Sequence, residues 1–191
     1  MSVSHEERLA FFELELNLIY DPSIREFTSL CLMAAPEYFF VDCPASSSGK
    51  YHPLDELGWD GTIVHTRKVA SVAYDLCRGL GCEDNRDLII SACIIHDLRK
   101  QGVTSERGHT VKHHPHLASE LVTEVHYDTQ ILSEPQFEMV RTCCGYHYGP
   151  WSINPWRKPL TEFTQEELCV YLSDYIASRK SNTINYLTRE W

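Results

Sequence analysis

Residues 91–100 read SACIIHDLRK, an apolar run that ends in the adjacent pair His96-Asp97. The apolar run should be buried, and a buried carboxylate needs a partner because an unpaired charge away from water is costly. Imidazole and carboxylate side chains together suit a divalent metal that activates water. The pair therefore predicts a metal site where a buried helix, which begins near Asp84 or Asn85, comes to its end.

Further residues of the same chemical kind lie on both sides of this pair, and they are numerous enough to hold two ions rather than one. In chain order, the candidate ligands are His65, His96, Asp97, His114, His147 and Asp174. A carboxylate can bridge two ions whereas an imidazole cannot, so Asp97 is the candidate bridge and the second ion takes His114 and His147. The first ion takes His65, His96, Asp97 and Asp174.

Three local motifs resemble the HD-domain superfamily of metal-dependent phosphohydrolases, an all-helical group named for its His-Asp pair. Residues 65–70 read HTRKVA and resemble its first motif, while residues 94–100 read IIHDLRK and resemble the pair with its following lysine. Residues 173–179 read SDYIASR and resemble the closing aspartate motif. The resemblance covers roughly residues 60 to 180 and implies an all-α helical bundle.

The two intervening histidines are similar to the extra ligands of dinuclear members of that superfamily. His114 is followed by Pro115 and Ala118, and His147 stands in a comparable segment. Such members include cyclic-dinucleotide phosphodiesterases, dinucleoside-polyphosphate hydrolases and a few di-iron oxygenases. The resemblance implies one or two ions of Mn, Fe, Co, Mg or Zn and hydrolysis of a phosphoester or phosphoanhydride bond in a small nucleotide-like substrate. A di-iron oxygenase on the same fold and a non-catalytic nucleotide-binding module are the alternatives.

Basic residues between the His-Asp pair and His114 are candidates for phosphate binding. They are Arg99, Lys100, Arg107 and Lys112. Clustered Lys and Arg bind phosphate through charge-assisted hydrogen bonds, although a solvated loop would have the same composition. Lys100 stands where members of the resembled family often carry a phosphate-contacting lysine, so Asp97 and Lys100 are the candidate catalytic residues. Arg179 lies off the helical face of Asp174 and is expected on the surface unless that helix ends early.

Residues 145–159 interleave aromatic residues with glycine and proline. Such a segment predicts an ordered loop, and because it begins beside His147 we expect it to form a wall of the substrate pocket. Tyr146 and Trp151 are the candidates there for stacking on a base. Among the other histidines, His109 is a candidate for a position near the substrate. The surface or structural histidines are expected to be His5, His52 and His126.

Helical periodicity and capping signals predict the helices and the division of the chain. A first helix is expected from Ser4 to Leu18 and a second from Pro22 to about Met33, and residues 1–58 form an N-terminal helical extension on an HD-type domain of residues 59–191. The sequence leaves open whether this extension packs on the core, covers the site or forms a dimer surface. Further helix starts are predicted at Thr62, Pro115, Ser133 and Thr164.

The composition of the chain limits the kinds of partner and location that we expect. The chain has 191 residues and a formal net charge of −10, which argues against a long duplex nucleic acid because phosphate backbones are bound by clustered Lys and Arg. Its eight cysteines include no CxxC pair, which favours free thiols and a cytoplasmic location. No segment has the length or composition of a membrane span or an export signal, and the oligomeric state stays open.

Overall fold

The computed structural model describes residues 3–46, 48–104 and 108–184. Within these residues the chain forms nine α-helices and no β-strand, so the predicted all-α class is confirmed. The helices are α1 His5–Ala10, α2 Glu13–Leu16, α3 Pro22–Ala34, α4 Tyr38–Val41, α5 Gly61–Gly79, α6 Arg86–Ile95, α7 His114–Thr129, α8 Glu134–Tyr146 and α9 Gln165–Ala177. Short 3-10 helices lie at Leu54–Glu56, Glu83–Asn85, Gly149–Trp151 and Leu160–Glu162.

Helix α6 is the centre of the bundle. Every residue from Leu88 to Ile95 is buried, as expected for a helix that is apolar on all sides. Helices α3, α5, α8 and α9 all pack against it, while α5 also packs on α9 and α7 on α8. Because α6 ends at Ile95, the His96-Asp97 pair emerges in the middle of the bundle rather than at its surface.

Side-chain caps fix several helix starts where the sequence predicts them. Ser4 with Glu7 and Thr164 with Glu167 form complete capping boxes, in which each side chain bonds the other residue's backbone N–H. Ser133 is the N-cap of α8, where its backbone N–H and its hydroxyl both donate to Gln136 Oε1, at 3.0 and 2.8 Å. These three predictions are confirmed.

Two of the predicted helix starts and ends are wrong. The first helix does not run from Ser4 to Leu18, because it breaks at Phe12, whose ring is fully buried and lies 6.2 Å from the ring of Phe39. Thr62 does not cap α5 but lies inside it, and its hydroxyl donates to the sulfur of Cys43 at 3.3 Å.

The N-terminal helices share one hydrophobic core with the rest of the described chain. Phe27 and Leu32 of α3 belong to this core, and Thr28 Oγ1 donates to Ser91 Oγ of α6 at 2.7 Å. The division at residue 58 stays a prediction. All eight cysteines are buried free thiols. None of the helices in the described ranges combines the length and the apolar character that crossing a bilayer requires.

Candidate metal centre

Five helices bring the six candidate ligands to the wall of one cavity or directly beneath it. They are His65 on α5, His96 and Asp97 just after α6, His114 at the start of α7, His147 just after α8, and Asp174 on α9. His65 and His96 are fully buried, and Asp97 and His114 are each only 2% exposed. Three groups of these residues each place their ligand atoms within 4.8 Å of one another. The groups are His65 with His96 and Asp97, His96 with His147 and Asp174, and Asp97 with His114 and His147.

Three of the histidines are oriented in the same way. Each one donates its Nδ1 proton to the backbone carbonyl three residues earlier, and the Nδ1-to-oxygen distances are 2.7 Å for His96, 2.8 Å for His114 and 2.6 Å for His147. A carbonyl can only accept, so Nδ1 carries the proton and the neutral ring presents a bare lone pair at Nε2. A backbone or carboxylate acceptor on the far nitrogen is the usual support of a metal-binding histidine.

These bare nitrogens face each other across a small space. Nε2 of His114 lies 3.1 Å from Nε2 of His147, and Asp97 Oδ1 lies 3.4 Å from the former and 3.8 Å from the latter. Burial lowers the pKa of His114 to about 4, and burial together with His96 and His114 lowers the pKa of His147 to about 3. Both rings are therefore neutral near pH 7, and neither Nε2 has a proton to offer the other.

Two further atoms of the centre lack a hydrogen-bond partner within the described residues. They are Nε2 of His96 and Oδ1 of Asp97, and both are buried. Buried polar atoms are nearly always paired, so unpartnered lone pairs on nitrogen and oxygen around one space are typical of a cation-binding site. The donor set of imidazole and carboxylate suits a divalent metal. The residues present therefore fit a metal centre.

His65 and Asp174 form the opposite side of the centre. His65 Nε2 donates to Asp174 Oδ1 at 2.9 Å, and His65 Nδ1 donates to Glu56 Oε2 at 3.1 Å. Burial alone would lower the pKa of His65, but the bonds to Asp174 and Glu56 outweigh it and raise this pKa to about 9. Metal ligation by Nε2 requires loss of that proton, after which the bond to Glu56 still holds the ring in place.

Glu56 is a functional residue that the sequence reasoning missed. Its carboxylate is fully buried, and it accepts hydrogen bonds from His52 Nδ1 at 2.7 Å, from His65 Nδ1 at 3.1 Å and from Lys68 Nζ at 2.9 Å. One signal was present in the sequence, since Lys68 follows His65 by one turn of α5 and a buried lysine needs a carboxylate. The partner itself lies in the predicted extension, too far along the chain for local pattern to find.

A single close contact explains how Glu56 reaches this position. A Cβ atom added at Gly61 would lie 2.0 Å from the carbonyl oxygen of Glu56, so only glycine lets the 3-10 helix Leu54–Glu56 rest on the start of α5. The same 3-10 helix supplies Asp55, whose Oδ2 lies 2.8 Å from Lys68 Nζ. The N-terminal segment therefore orients His65 from behind.

Lys100 and Asp97 form a buried ion pair beside the candidate ligands. Burial alone would raise the pKa of Asp97, but the ammonium group of Lys100 holds it well below its usual range. Asp97 is therefore ionised, as ligation requires. Lys100 lines the cavity together with Asp97, His114 and His147. The lysine is thus placed to meet an anion that approaches the centre.

A cavity of about 520 Å³ opens onto the centre and is lined by both cationic and aromatic side chains. The predicted pocket residues Lys100, Lys112 and Trp151 line it. His109 does so too, and so do Tyr51 and His52 from the N-terminal segment. Arg107 lies outside the described residues.

Two predicted pocket residues do not line the cavity. Arg99 Nη1 instead donates to Glu124 Oε1 on α7 at 3.0 Å, because that carboxylate holds the guanidinium on the other side of the chain. Tyr146 ends α8 and packs its ring 5.0 Å from Trp156, with Lys158 Nζ 4.1 Å from its centroid. Each is next in sequence to a residue that lines the cavity, Lys100 or His147, yet its own side chain points elsewhere.

Two close packing contacts position the aromatic loop that follows α8. The ring of Trp156 rests directly on Gly145, where an added Cβ would lie 2.1 Å from it. Gly149 has φ of +56° and approaches the ring of Tyr171, which an added Cβ would meet at 2.3 Å. Both contacts need glycine, and together they bring Trp151 to the cavity.

A family model for the HD domain matches residues 62–179. The chain belongs to the HD-domain family. The comparison with curated proteins and the comparison with solved structures gave no match. The HD-domain family lies in a superfamily of metal-dependent hydrolases, and the buried His and Asp groups fit the metal site of an HD domain.

Proposed function

We propose that this HD domain is a phosphohydrolase that depends on one or two divalent ions and cleaves a phosphoester or phosphoanhydride bond of a small nucleotide-like substrate. The observation that carries the proposal is the arrangement around Asp97. Its Oδ1 atom lies 3.4 Å from the bare Nε2 atom of His114 and 3.8 Å from that of His147, and Lys100 pairs with its other oxygen. Asp97, both histidines and the Lys100 ammonium group all line the same cavity, which supports metal ligands beside a cation suited to phosphate.

The candidate ligands divide into two sets, one for each ion. His65, His96, Asp97 and Asp174 would hold the first ion, and Asp97 with His114 and His147 would hold the second. A divalent ion bound there acidifies water and offsets the charge of phosphate oxygens. Asp97 would serve both sets, since its Oδ2 atom lies 3.5 Å from His96 Nε2 and its Oδ1 atom lies 3.4 Å from His114 Nε2.

Lys100 contributes a fixed positive charge. Its ammonium group is buried, and the carboxylate of Asp97 helps to raise its pKa against the opposing effect of burial, so it stays protonated. An ammonium group has three donors, of which Asp97 uses one, so others can bind a phosphate oxygen. Lys112 is exposed at the cavity and adds a second charge that attracts an anionic substrate.

Trp151 supports the nucleotide-like part of the proposal. Its side chain is 57% exposed and lines the cavity, and its ring stacks on Tyr175 at 6.0 Å with an interplanar angle of 6°. An exposed indole that is held on one side by a second ring offers its other surface to a planar group. Nucleobases bind to such surfaces without strong sequence preference.

The test is hydrolysis of nucleoside monophosphates, nucleoside triphosphates, cyclic dinucleotides and dinucleoside polyphosphates with added Mn or Co, followed both as phosphate release and as new nucleotide products separated by chromatography. We expect turnover of at least one compound, and its loss in Asp97→Asn. Asp128→Asn is the matched control, because Asp128 is exposed on α7 and does not line the cavity. Turnover that persists in Asp97→Asn contradicts the proposal.

The same samples separate the alternative chemistries. Oxygen consumption that requires ferrous ion, without hydrolysis of any compound, would assign the centre to oxygenation. Binding of a compound in the panel without hydrolysis or oxygen consumption would assign the chain to the nucleotide-binding modules. Either result overturns the phosphohydrolase proposal.

A further inference from the structure

Arg179 lies over two aromatic rings at the wall of the cavity. Its guanidinium carbon is 5.0 Å from the centroid of Tyr51 and 4.4 Å from the centroid of Tyr175. Tyr175 in turn stacks on Trp151. All four residues line the cavity, so a cation held by aromatic rings stands beside the candidate metal centre.

Hydrogen bonds restrict the guanidinium further. Its Nε and Nη2 atoms both donate to Ser178 Oγ, at 3.2 and 2.8 Å, and the backbone N–H of Lys180 donates to the carbonyl of Tyr51 at 2.9 Å. The N-terminal segment and the end of α9 are thereby joined at this point. A guanidinium has five N–H donors, so three remain after the two bonds to Ser178.

Arg179 differs from several other cationic side chains of the protein in having no carboxylate partner among the described residues. Arg67, Lys68 and Arg99 each form an ion pair with a carboxylate. Among the residues that the structure describes, Arg179 has no such ion pair and contacts the Ser178 hydroxyl and the two rings instead. In a chain with 27 acidic and 17 basic residues, a cation kept apart from carboxylates suits an anionic ligand.

The position of Arg179 separates it from the candidate metal centre. Asp174 lies three residues before the end of α9, about 4.5 Å along its axis at 1.5 Å per residue, and Arg179 lies beyond that end. A substrate group bound at Arg179 is therefore a different group from the one that reaches Lys100 and Asp97. The early end of α9 at Ala177 lets the chain turn and directs Arg179 to the cavity.

We propose that Arg179 forms a second anion subsite, which binds a phosphate group of the substrate remote from the bond that is cleaved. This inference rests on the proposed function and narrows its substrate class to compounds that carry two phosphate groups. The planar guanidinium binds one of them with two parallel N–H donors, which a lysine at the same position does not reproduce.

The experiment compares two ligands that differ by one phosphate, adenosine 3′,5′-bisphosphate and adenosine 5′-monophosphate. Their affinities are measured by calorimetry on the manganese-loaded full chain. We expect the unaltered protein to bind the bisphosphate about tenfold more tightly, since a charge-assisted hydrogen bond contributes on this order. Arg179→Ala should remove the preference, and Arg179→Lys should keep only part of it.

Arg78→Ala is the matched control, because Arg78 is exposed at the far end of α5 and does not line the cavity. It should keep the full preference. The inference is overturned if the unaltered protein has no preference for the bisphosphate, or if Arg179→Ala and Arg179→Lys both retain it.

The binding readout separates this inference from the proposed function. A preference that depends on Arg179, in a protein that hydrolyses no compound of the panel, supports the subsite and overturns phosphohydrolysis. Turnover that requires Asp97, with a preference that Arg179→Ala leaves unchanged, supports phosphohydrolysis and overturns the subsite.

Discussion

The Nε2 atoms of His114 and His147 lie 3.1 Å apart, although each ring has already placed its proton on Nδ1. Two bare lone pairs at this distance repel each other. A cation between them and Asp97 would turn the repulsion into ligation. The most specific chemical property of this protein is therefore a buried space that is shaped for a positive ion.

Metal content should depend on this histidine pair. We expect about two manganese ions per chain in the unaltered protein and about one in His147→Ala, because the other ligand set stays intact. Elemental analysis after dialysis measures the ratio. His116→Ala is the control, since His116 is partly exposed on the same helix as His114 and does not line the cavity. Equal metal content in the unaltered protein and in His147→Ala would refute the assignment of the second ion.

Metal removal should also lower thermal stability. The ion binds the folded chain and not the unfolded one, so saturating manganese should raise Tm and a chelator should reverse the rise. In His114→Ala the rise should be smaller, because one ligand is gone. The measurement is a thermal melt followed by circular dichroism. An identical Tm with and without metal would argue against ion binding at this centre.

Glu56→Gln should weaken the centre although Glu56 is not a ligand. The amide keeps the size of the side chain but removes the charge that orients His65, and loss of such a supporting carboxylate costs about 10- to 100-fold in metal affinity or activity. Metal titration and kcat measure the effect. Glu83→Gln is the control because Glu83 is exposed. The role assigned to Glu56 fails if the two variants behave alike.

Gly61→Ala and Gly79→Ala should have opposite effects on stability although both lie in α5. The added methyl group at Gly61 would overlap the backbone of Glu56, and such overpacking costs about 1 to 3 kcal/mol. At Gly79 nothing lies within 4 Å, so alanine should be neutral or stabilise by up to about 1 kcal/mol. Urea unfolding measures both. A Gly61→Ala protein of unchanged stability and metal affinity would contradict the close approach of Glu56.

Trp151 and Tyr146 should differ in their effect on substrate binding. Trp151→Ala should raise KM for the best substrate by about tenfold or more, since stacking of a base contributes about 1 to 3 kcal/mol. Tyr146→Phe should leave KM unchanged, because that ring packs against Trp156 outside the cavity. A larger effect at Tyr146 than at Trp151 would reverse the structural assignment of the pocket wall.

Local pattern was sufficient for much of the fold. The capping residues Ser4, Ser133 and Thr164 each bond a residue within one turn, so their effect is visible in a few adjacent residues. The apolar run before His96 likewise predicts a central helix, since no face of it is polar. Local pattern failed at Phe12, where the helix breaks because Phe39, distant in the chain, provides the site for its ring.

The site shows the same limit. The six candidate ligands could be named from the sequence. Glu56 could not, because it reaches His65 through a backbone contact at Gly61 that no periodicity encodes. Arg99 and Tyr146 were predicted in the pocket because they adjoin it in sequence, but adjacent residues at a helix end point in different directions. Arg179 was expected on the surface unless its helix ended early. Helix α9 does end two residues before it, at Ala177, and Arg179 lines the cavity.

The most direct measurement of the metal centre is anomalous diffraction from crystals of the protein grown with manganese. We predict one anomalous peak within bonding distance of Asp97 and the Nε2 atoms of His114 and His147, and a second beside His65, His96 and Asp174. A map without a peak at Asp97, from crystals that contain manganese elsewhere, would contradict the account.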